Sequence, residues 1–351
     1  MSAATLESAA PTAAQRRLRL AVVIPWRDLG RWIWAHLPPE RYEADLLFAA
    51  PEPDSYFARR RLPAYLGEFA HLAQRRPRLD RYDVIFTWEL RSALATALLR
   101  RVTRQRRAKF VALAPIIKGG ARRALPLLRR LLADADRIAC FSSGECDAYA
   151  KLLGLPRERF TFLPLAWLDD EAPSEQDDGF VLALGHSNRD YPLLMEALAG
   201  TDIPTTVVAA DRDWLNGADP PASVTVKLNT GHHETNDLVA RATFHVIPLR
   251  PVDYSSGQTV LLRAMARGKA VVISDTMGVR DYVRGGETAV LVPPGDARAL
   301  QRALLRLWDD TDERKRIGDN AARAIRDDFG FPRFARRLAA MAEELTGKAP
   351  A

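Results

Sequence analysis

Two loops in the second half of the chain carry groups suited to holding phosphate. Residues 248–274 read PLRPVDYSSGQTVLLRAMARGKAVVIS. A β-rich run ends at Pro248, Ser255 and Ser256 are good helix caps, and a helical pattern runs from Gly257 to Arg267 before Gly268. A helix start presents free N–H groups and a partial positive charge, which suits an anion. Gly257 lets the backbone approach such a ligand closely. An ordinary capped helix in an α/β domain gives the same pattern. The second loop is GHSNRDYPLL, residues 185–194. Gly185 permits a tight turn, Arg189 is its one cation and Asp190 suits the cap of the next helix. Arginine can grip a diphosphate through two parallel hydrogen bonds. Read singly, Arg189 is equally a surface residue and His186 an ordinary loop histidine. Two such loops in one domain favour binding.

A second group of residues lies in the first half. Trp26, Arg27 and Asp28 follow the first β-rich run, and Trp88 and Glu89 follow the third. Aromatic faces stack on sugars or lipid-like molecules, and a carboxylate beside a hydroxyl can act as a base. For Trp26, Trp32 and Trp34, packing is the competing reading. Lys118, in APIIKGG, ends a strand and can meet an anion, or it is a plain loop lysine.

These loops require strands and helices in alternation. In the first half, β-rich runs cover 18–24, 44–49, 83–87, 109–114, 137–141 and 160–163. Helical patterns cover 91–107, 122–133 and 143–153, the last beginning at a serine cap and stopping at Gly154. The acidic stretch DDEAPSEQDD, 169–178, lacks apolar periodicity and reads as a linker. Alternation then restarts. Strands are expected at 180–185, 205–210, 224–228, 244–248, 270–274 and 289–292. Helices are expected at 191–198, 234–242, 257–267, 297–308, 312–328 and 332–345. Strand–helix alternation implies right-handed crossovers and parallel sheets. The expected class is α/β: two doubly wound domains, with ligand in a cleft at the carboxyl ends of the strands. The expected division is a tail at 1–16, a first domain at 17–168, the linker, and a second domain at 179–351. The last helix is expected to pack back on the first domain.

Composition narrows the class. With 351 residues, 47% hydrophobic and 27% charged, the chain matches globular averages, which excludes collagen, coiled coil and global disorder. Its two cysteines form no scaffold or metal-ligand spacing, which favours a cytoplasmic setting. The longest apolar run is about eight residues, short of the roughly 20 needed to span a bilayer. Residues 1–16 show no signal-peptide pattern. Charge is uneven: up to Leu165 there are 29 Lys and Arg against 16 Asp and Glu, and the remainder is acidic. Between Arg100 and Arg137 basic residues face only Asp134 and Asp136. Such a field attracts phosphates or an anionic membrane surface, or is simply an Arg-rich solvated face. No nucleic-acid-binding signature accompanies it. The segment ARRALPLLRRLL has basic and apolar residues suited to an anionic membrane, although Pro126 is expected to break its middle. Neither half opens with G-x-G-x-x-G, so no dinucleotide cofactor is expected.

The run GQTVLLRAMARGKAVVISDTMGVRDYVRGGETAVLVPPGD, residues 257–296, resembles the donor-binding segment of retaining GT-B glycosyltransferases, broadly glycosyltransferase family 4. The pattern is L-x-A-M-A-x-G-x-x-V-V, then D-x-x-G, then a close on L-V-P-P-G-D. Residues 138–167, IACFSSGECDAYAKLLGLPRERFTFLPLAW, are also similar to that family. The resemblance covers roughly 137–345. It has a departure: the family's two glutamates, eight positions apart, are here Ser255 and Arg263. Arginine accepts no hydrogen bond, so Arg263 cannot hold ribose hydroxyls as a carboxylate does. His186 and Arg189 stand near the family's usual Arg and Lys.

The resemblance implies transfer of a sugar from a UDP- or GDP-sugar to an acceptor hydroxyl with retention of configuration and without a metal. It implies a donor site of Gly185, His186, Arg189, Asp190, Ser255, Ser256, Gly257, Gln258, Thr259 and Arg263. Arg189 is the expected diphosphate holder and Glu89 a second catalytic candidate. The acceptor would meet Trp26, Arg27, Asp28, Trp88, Glu89 and Lys118. That acceptor would be a sugar, a lipid-linked molecule or a small molecule of cell-envelope, glycolipid or secondary-product chemistry. The protein would be cytoplasmic, peripheral on the inner membrane face. Two alternatives stay open: a silent GT-B scaffold, and another two-Rossmann sugar-nucleotide enzyme such as an epimerase.

Overall fold

The structure is a computed structural model that describes residues 17–24, 36–48, 62–75, 77–167, 172–210 and 219–347. Trp26, Arg27, Asp28, Trp32 and Trp34 lie outside the described residues, as do the expected tail and the start of the expected linker.

In chain order the elements begin with β1 (Leu18–Ile24), β2 (Tyr42–Phe48), α1 (Leu62–Gln74), β3 (Val84–Trp88), α2 (Glu89–Thr103) and β4 (Lys109–Leu113). They continue with α3 (Leu125–Leu132), β5 (Arg137–Cys140), α4 (Ser143–Leu153) and β6 (Phe160–Phe162). The second run is β7 (Val181–Leu184), α5 (Tyr191–Leu198), β8 (Thr205–Ala209), β9 (Val224–Leu228), α6 (His232–Arg241), β10 (Phe244–Ile247), α7 (Gln258–Ala266), β11 (Val271–Ser274) and β12 (Val290–Val292). Helices α8 (Ala297–Asp309), α9 (Thr311–Ala324) and α10 (Phe331–Thr346) close the chain. The sheet orders are β2-β1-β3-β4-β5-β6 and β12-β11-β10-β7-β8-β9. Every pairing in the second sheet is parallel, as are β1–β2, β1–β3 and β3–β4 in the first.

Central strands covered on both faces read as continuous apolar runs. The second sheet follows this rule: VLAL, FHVI and VVIS of β7, β10 and β11 are buried throughout. Edge strand β9, VTVKL, is half-exposed.

The chain packs as two compact units. One comprises the described residues of Met1–Pro115, Pro126–Ile138 and Ala335–Ala351; the other comprises Ile116–Leu125 and Ala139–Phe334. The first has a core of Ala21, Val23, Leu72, Leu79, Ile85 and Leu99. In it Glu343 accepts from the Tyr42 hydroxyl at 2.6 Å and pairs with Arg41. The second has cores around Phe244 and Val272 on one face and Ile247, Leu261 and Ile273 on the other.

Three expectations change. Residues 172–178 do not hang as a free linker but are bonded along the second unit. Ser174 N–H donates to the Arg267 carbonyl and Asp178 N–H to that of Arg241, each at 2.9 Å. Asp177 accepts from Thr243, and Asp178 pairs with Arg241. The acidic residues therefore serve as partners for bases of the unit. Second, Pro126 breaks nothing: residues Gly119–Ala124 form a 3-10 turn and α3 starts at Leu125. Proline is then in the first turn, where its missing N–H has no helical partner to lose. Third, α2 stops at Thr103 rather than at 107, because Arg104 takes a left-handed conformation (φ 58°).

Candidate functional site

The site is built where β7 and β10 end. These strands pair with Ala183 opposite Val246, so both end level and send their loops out side by side. The loop after β10 reaches α7, whose cap residue is Gly257, which has no side chain to bond the helix start. The expected serine caps are engaged elsewhere. Ser256 Oγ accepts from Asn188 Nδ2 at 3.0 Å, and Asn188 also donates to the Arg250 carbonyl at 2.7 Å. Asn188 thus bridges the two loops from a left-handed conformation (φ 59°). Gly257 has φ 92°, and a Cβ there would lie 2.9 Å from Leu249 Cδ1. A side chain at this position meets both the left-handed backbone penalty and a packed leucine.

Ser255 faces a carboxylate from another element. Glu145 of α4 accepts the Ser255 N–H at 2.9 Å and its hydroxyl at 2.7 Å. So the position where the resemblance expects a glutamate side chain instead receives one from α4. Burial pushes the Glu145 carboxyl up from its ordinary value, and the Ser255 bonds oppose that shift. Gln258 is spent on structure, donating to the Gly278 carbonyl at 2.5 Å. Thr259 is exposed on the first turn of α7, and Arg263 is half-buried one turn further.

Arg189 differs most from expectation. It is 4% exposed, and its Nε and Nη1 donate to the carbonyls of Leu184 (3.0 Å) and Ser187 (2.8 Å). Burial lowers its pKa. A Cβ at Gly185 would collide with this guanidinium. In this conformation Arg189 braces the loop from beneath instead of facing a ligand. The guanidinium supplies donors to those two carbonyls. Asp190 makes no side-chain cap bond to α5; it lies 3.5 Å from Arg250. His186 is half-buried beside it in the loop.

A partly exposed cation, Lys118, which sequence reasoning assigned to an acceptor, stands at this loop. Its Nζ donates to Ser187 Oγ at 3.1 Å and stands 5.4 Å from the centre of the Tyr254 ring. Lys118 therefore belongs with the 185–190 loop. Next to it Arg122 pairs with Asp253 at 2.5 Å. Gly119, Arg122 and residues 251–254 line an open depression of about 600 Å³. Trp88 and Glu89 are placed in the first unit, at the carboxyl end of β3. Glu89 has φ 71°, and its carboxylate is 3.7 Å from Arg91, which also pairs with Glu68 at 3.3 Å. A non-glycine residue held there marks local strain.

Sequence reasoning missed Glu145, Asn188, Ser187 and Tyr254. Only Glu145 left a local signal: Ser142-x-x-Glu145 is a capping-box spacing. Ser142 does cap α4, accepting the Glu145 N–H at 3.1 Å. Among the described residues, no group of three His, Cys, Asp or Glu is placed to hold a metal ion, and no helix is long and apolar enough to cross a membrane.

The fold has counterparts among known proteins, and part of the second unit matches a known family. Residues 197–310 match the family described as glycosyl transferases group 1. Sucrose-phosphate synthase from Thermosynechococcus elongatus superposes with a TM-score of 0.71 at 16% identity, covering 94% of this chain and 100% of that one. HepE of Anabaena, solved with UDP-glucose, gives a TM-score of 0.69 at 16% identity over 93% of this chain and 99% of that one. The chain has the GT-B fold, and the resemblance to GT-B glycosyltransferases holds. In sequence, a lipopolysaccharide core mannosyltransferase of Rhizobium leguminosarum bv. viciae is 35% identical over 107 residues, 30% of each chain. The matches span only 25%, 17% and 30% of the first three curated relatives.

Proposed function

We propose that this protein is a retaining glycosyltransferase that takes its sugar from a UDP- or GDP-sugar. The observation that carries the reading is the meeting of two loops at the level ends of β7 and β10, over the first turn of α7, whose cap residue is a glycine. A diphosphate there would accept from the first N–H groups of α7 and from Lys118, with Arg122 beside them. Thr259 and Arg263 are the α7 side chains offered to the donor. His186 and Ser187 lie on the opposing loop. Arg189 acts indirectly, by bracing that loop.

In the proposed reaction the C1–oxygen bond to the diphosphate breaks as the acceptor oxygen bonds C1 from the same face. The acceptor proton passes to the departing phosphate oxygen, giving a nucleoside diphosphate and a glycoside. No metal is required in this scheme. HepE is solved with UDP-glucose, which supports a nucleotide-sugar donor. The lipopolysaccharide enzyme supports an acceptor of cell-envelope type, and Trp88 and Glu89 are the described candidates to meet it. The base-rich first half supports peripheral attachment to an anionic membrane.

Calorimetric titration with UDP, GDP, dTDP and their sugar conjugates tests the donor site. One base should bind, with EDTA making no difference, and Lys118→Ala should weaken it about tenfold, or roughly 1.4 kcal/mol. No binding by any of them rejects the reading. NMR of the product decides retention.

A further inference from the structure

We infer that Glu145 and Tyr149 of α4 are positioning residues that hold both loops of the candidate site, 255–257 and 117–118, from one face of a single helix. The two are four residues apart and so share a face of α4. Each is 1% exposed. Glu145 Oε1 accepts the Ser255 N–H and Oε2 the Ser255 hydroxyl, at 2.9 and 2.7 Å. The Ile117 N–H donates to the Tyr149 hydroxyl at 2.8 Å.

One face of α4 therefore carries two anchors, Tyr149 for Ile117 and Glu145 for Ser255. What lies next to the anchored residues gives the arrangement meaning. Lys118 follows Ile117 and reaches Ser187 and the Tyr254 ring. Ser256 and Gly257 follow Ser255, receiving Asn188 and starting α7. Capping alone does not require this. Ser142 already caps α4, and Glu145 also accepts the N–H of Phe141, just before that cap, at 3.1 Å. The remaining bonds all lead outward, to the cation and to the helix start that would meet one anion. A buried carboxylate is costly unless its lone pairs are filled, so each partner is held firmly. Loss of one anchor loosens both loops, since Lys118 of one rests against the Tyr254 ring of the other.

This inference rests on the proposed donor site, and its test separates the two. Hydrogen exchange of the full chain is compared for wild type, Glu145→Gln, Tyr149→Phe and the control Gln301→Ala. Gln301 bonds the carbonyls of Ala197 and Ala199, away from the site. The glutamine keeps the shape but brings its own N–H groups against donors. Exchange should rise together in peptides covering 116–119 and 253–258 in both site variants and in neither peptide for the control. Affinity for the nucleoside diphosphate that wild type binds should fall about tenfold in Glu145→Gln. The double variant should lose less than the product of the single fold-changes, because the residues act in one network. Response of only one loop, or unchanged nucleotide affinity in both variants, overturns the inference. If Glu145→Gln does not fold, Tyr149→Phe decides. If wild type binds no nucleoside diphosphate, the donor reading falls, and exchange alone decides whether the two loops are held jointly.

Discussion

The Asn188 amide donates to the Ser256 hydroxyl at 3.0 Å and to the Arg250 carbonyl at 2.7 Å, joining the loop after β7 to the loop after β10. Asn188→Ala loses both bonds and puts a Cβ-bearing residue without local bonding in the left-handed region. It should lower unfolding free energy by about 1–2 kcal/mol and weaken nucleotide binding. Asn188→Gly removes the backbone part of that cost, so the remaining loss in a urea titration measures the bridge.

Arg189→Ala should act first on stability. It removes the Arg189 donors from the buried Leu184 carbonyl and the part-buried Ser187 carbonyl. A loss of about 2–3 kcal/mol is expected in the urea midpoint before any ligand is added. Arg189→Lys should not restore it, since a single ammonium does not reproduce the planar fork. A variant with wild-type stability and only weaker nucleotide binding would return Arg189 to direct ligand contact.

Gly257→Ala should destabilise by about 1–3 kcal/mol, from positive φ and the nearby Leu249 methyl. Combining it with a smaller residue at 249 should relieve the steric part and leave the backbone part. Thermal melts of the single and double variants distinguish the two.

His245 gives a pH dependence. It is fully buried on β10, with Nε2 3.2 Å from the Val239 carbonyl, and burial pulls its pKa down to about 4. The unfolded chain takes up this proton near pH 6.5, before the folded chain does. Stability from this group is therefore complete above about pH 6.5, falls as pH drops and is lost below about pH 4. The expected change is about 3 kcal/mol across that window. His245→Gln keeps a donor for Val239 and does not titrate, so its urea midpoints should show a flatter slope between pH 6.5 and 4.

Much of the fold was legible because local pattern and packing agree in it. The apolar runs at 181–184, 244–247 and 271–274 stand out since both faces of those strands are covered. The helix of residues 143–153 is bounded by its serine cap and Gly154, as local chemistry requires. The loops at 185–190 and 248–257 were also legible, because glycine and capping residues mark strand-to-helix turns. The partners of each side chain were not. Arg189 read as an exposed diphosphate grip, but its loop needed internal donors, and sequence has no term for which carbonyls are left unpaired. Lys118 read as an acceptor contact because it lies 67 positions before Gly185, and only packing puts it on Ser187. Glu145 is 110 residues from Ser255, a separation across which no periodicity operates.

The sequence by itself determined the alternation of elements and the strand ends that carry the loops. These follow from short-range sterics and from periodic burial, which each segment encodes for itself. Tertiary structure decided which charges are spent on the protein and which remain for a ligand. That choice depends on desolvation and on distances between segments far apart in the chain. Arg189 is thus turned inward, Lys118 is brought to the 185–190 loop, and the carboxylate of Glu145 reaches Ser255 from another helix.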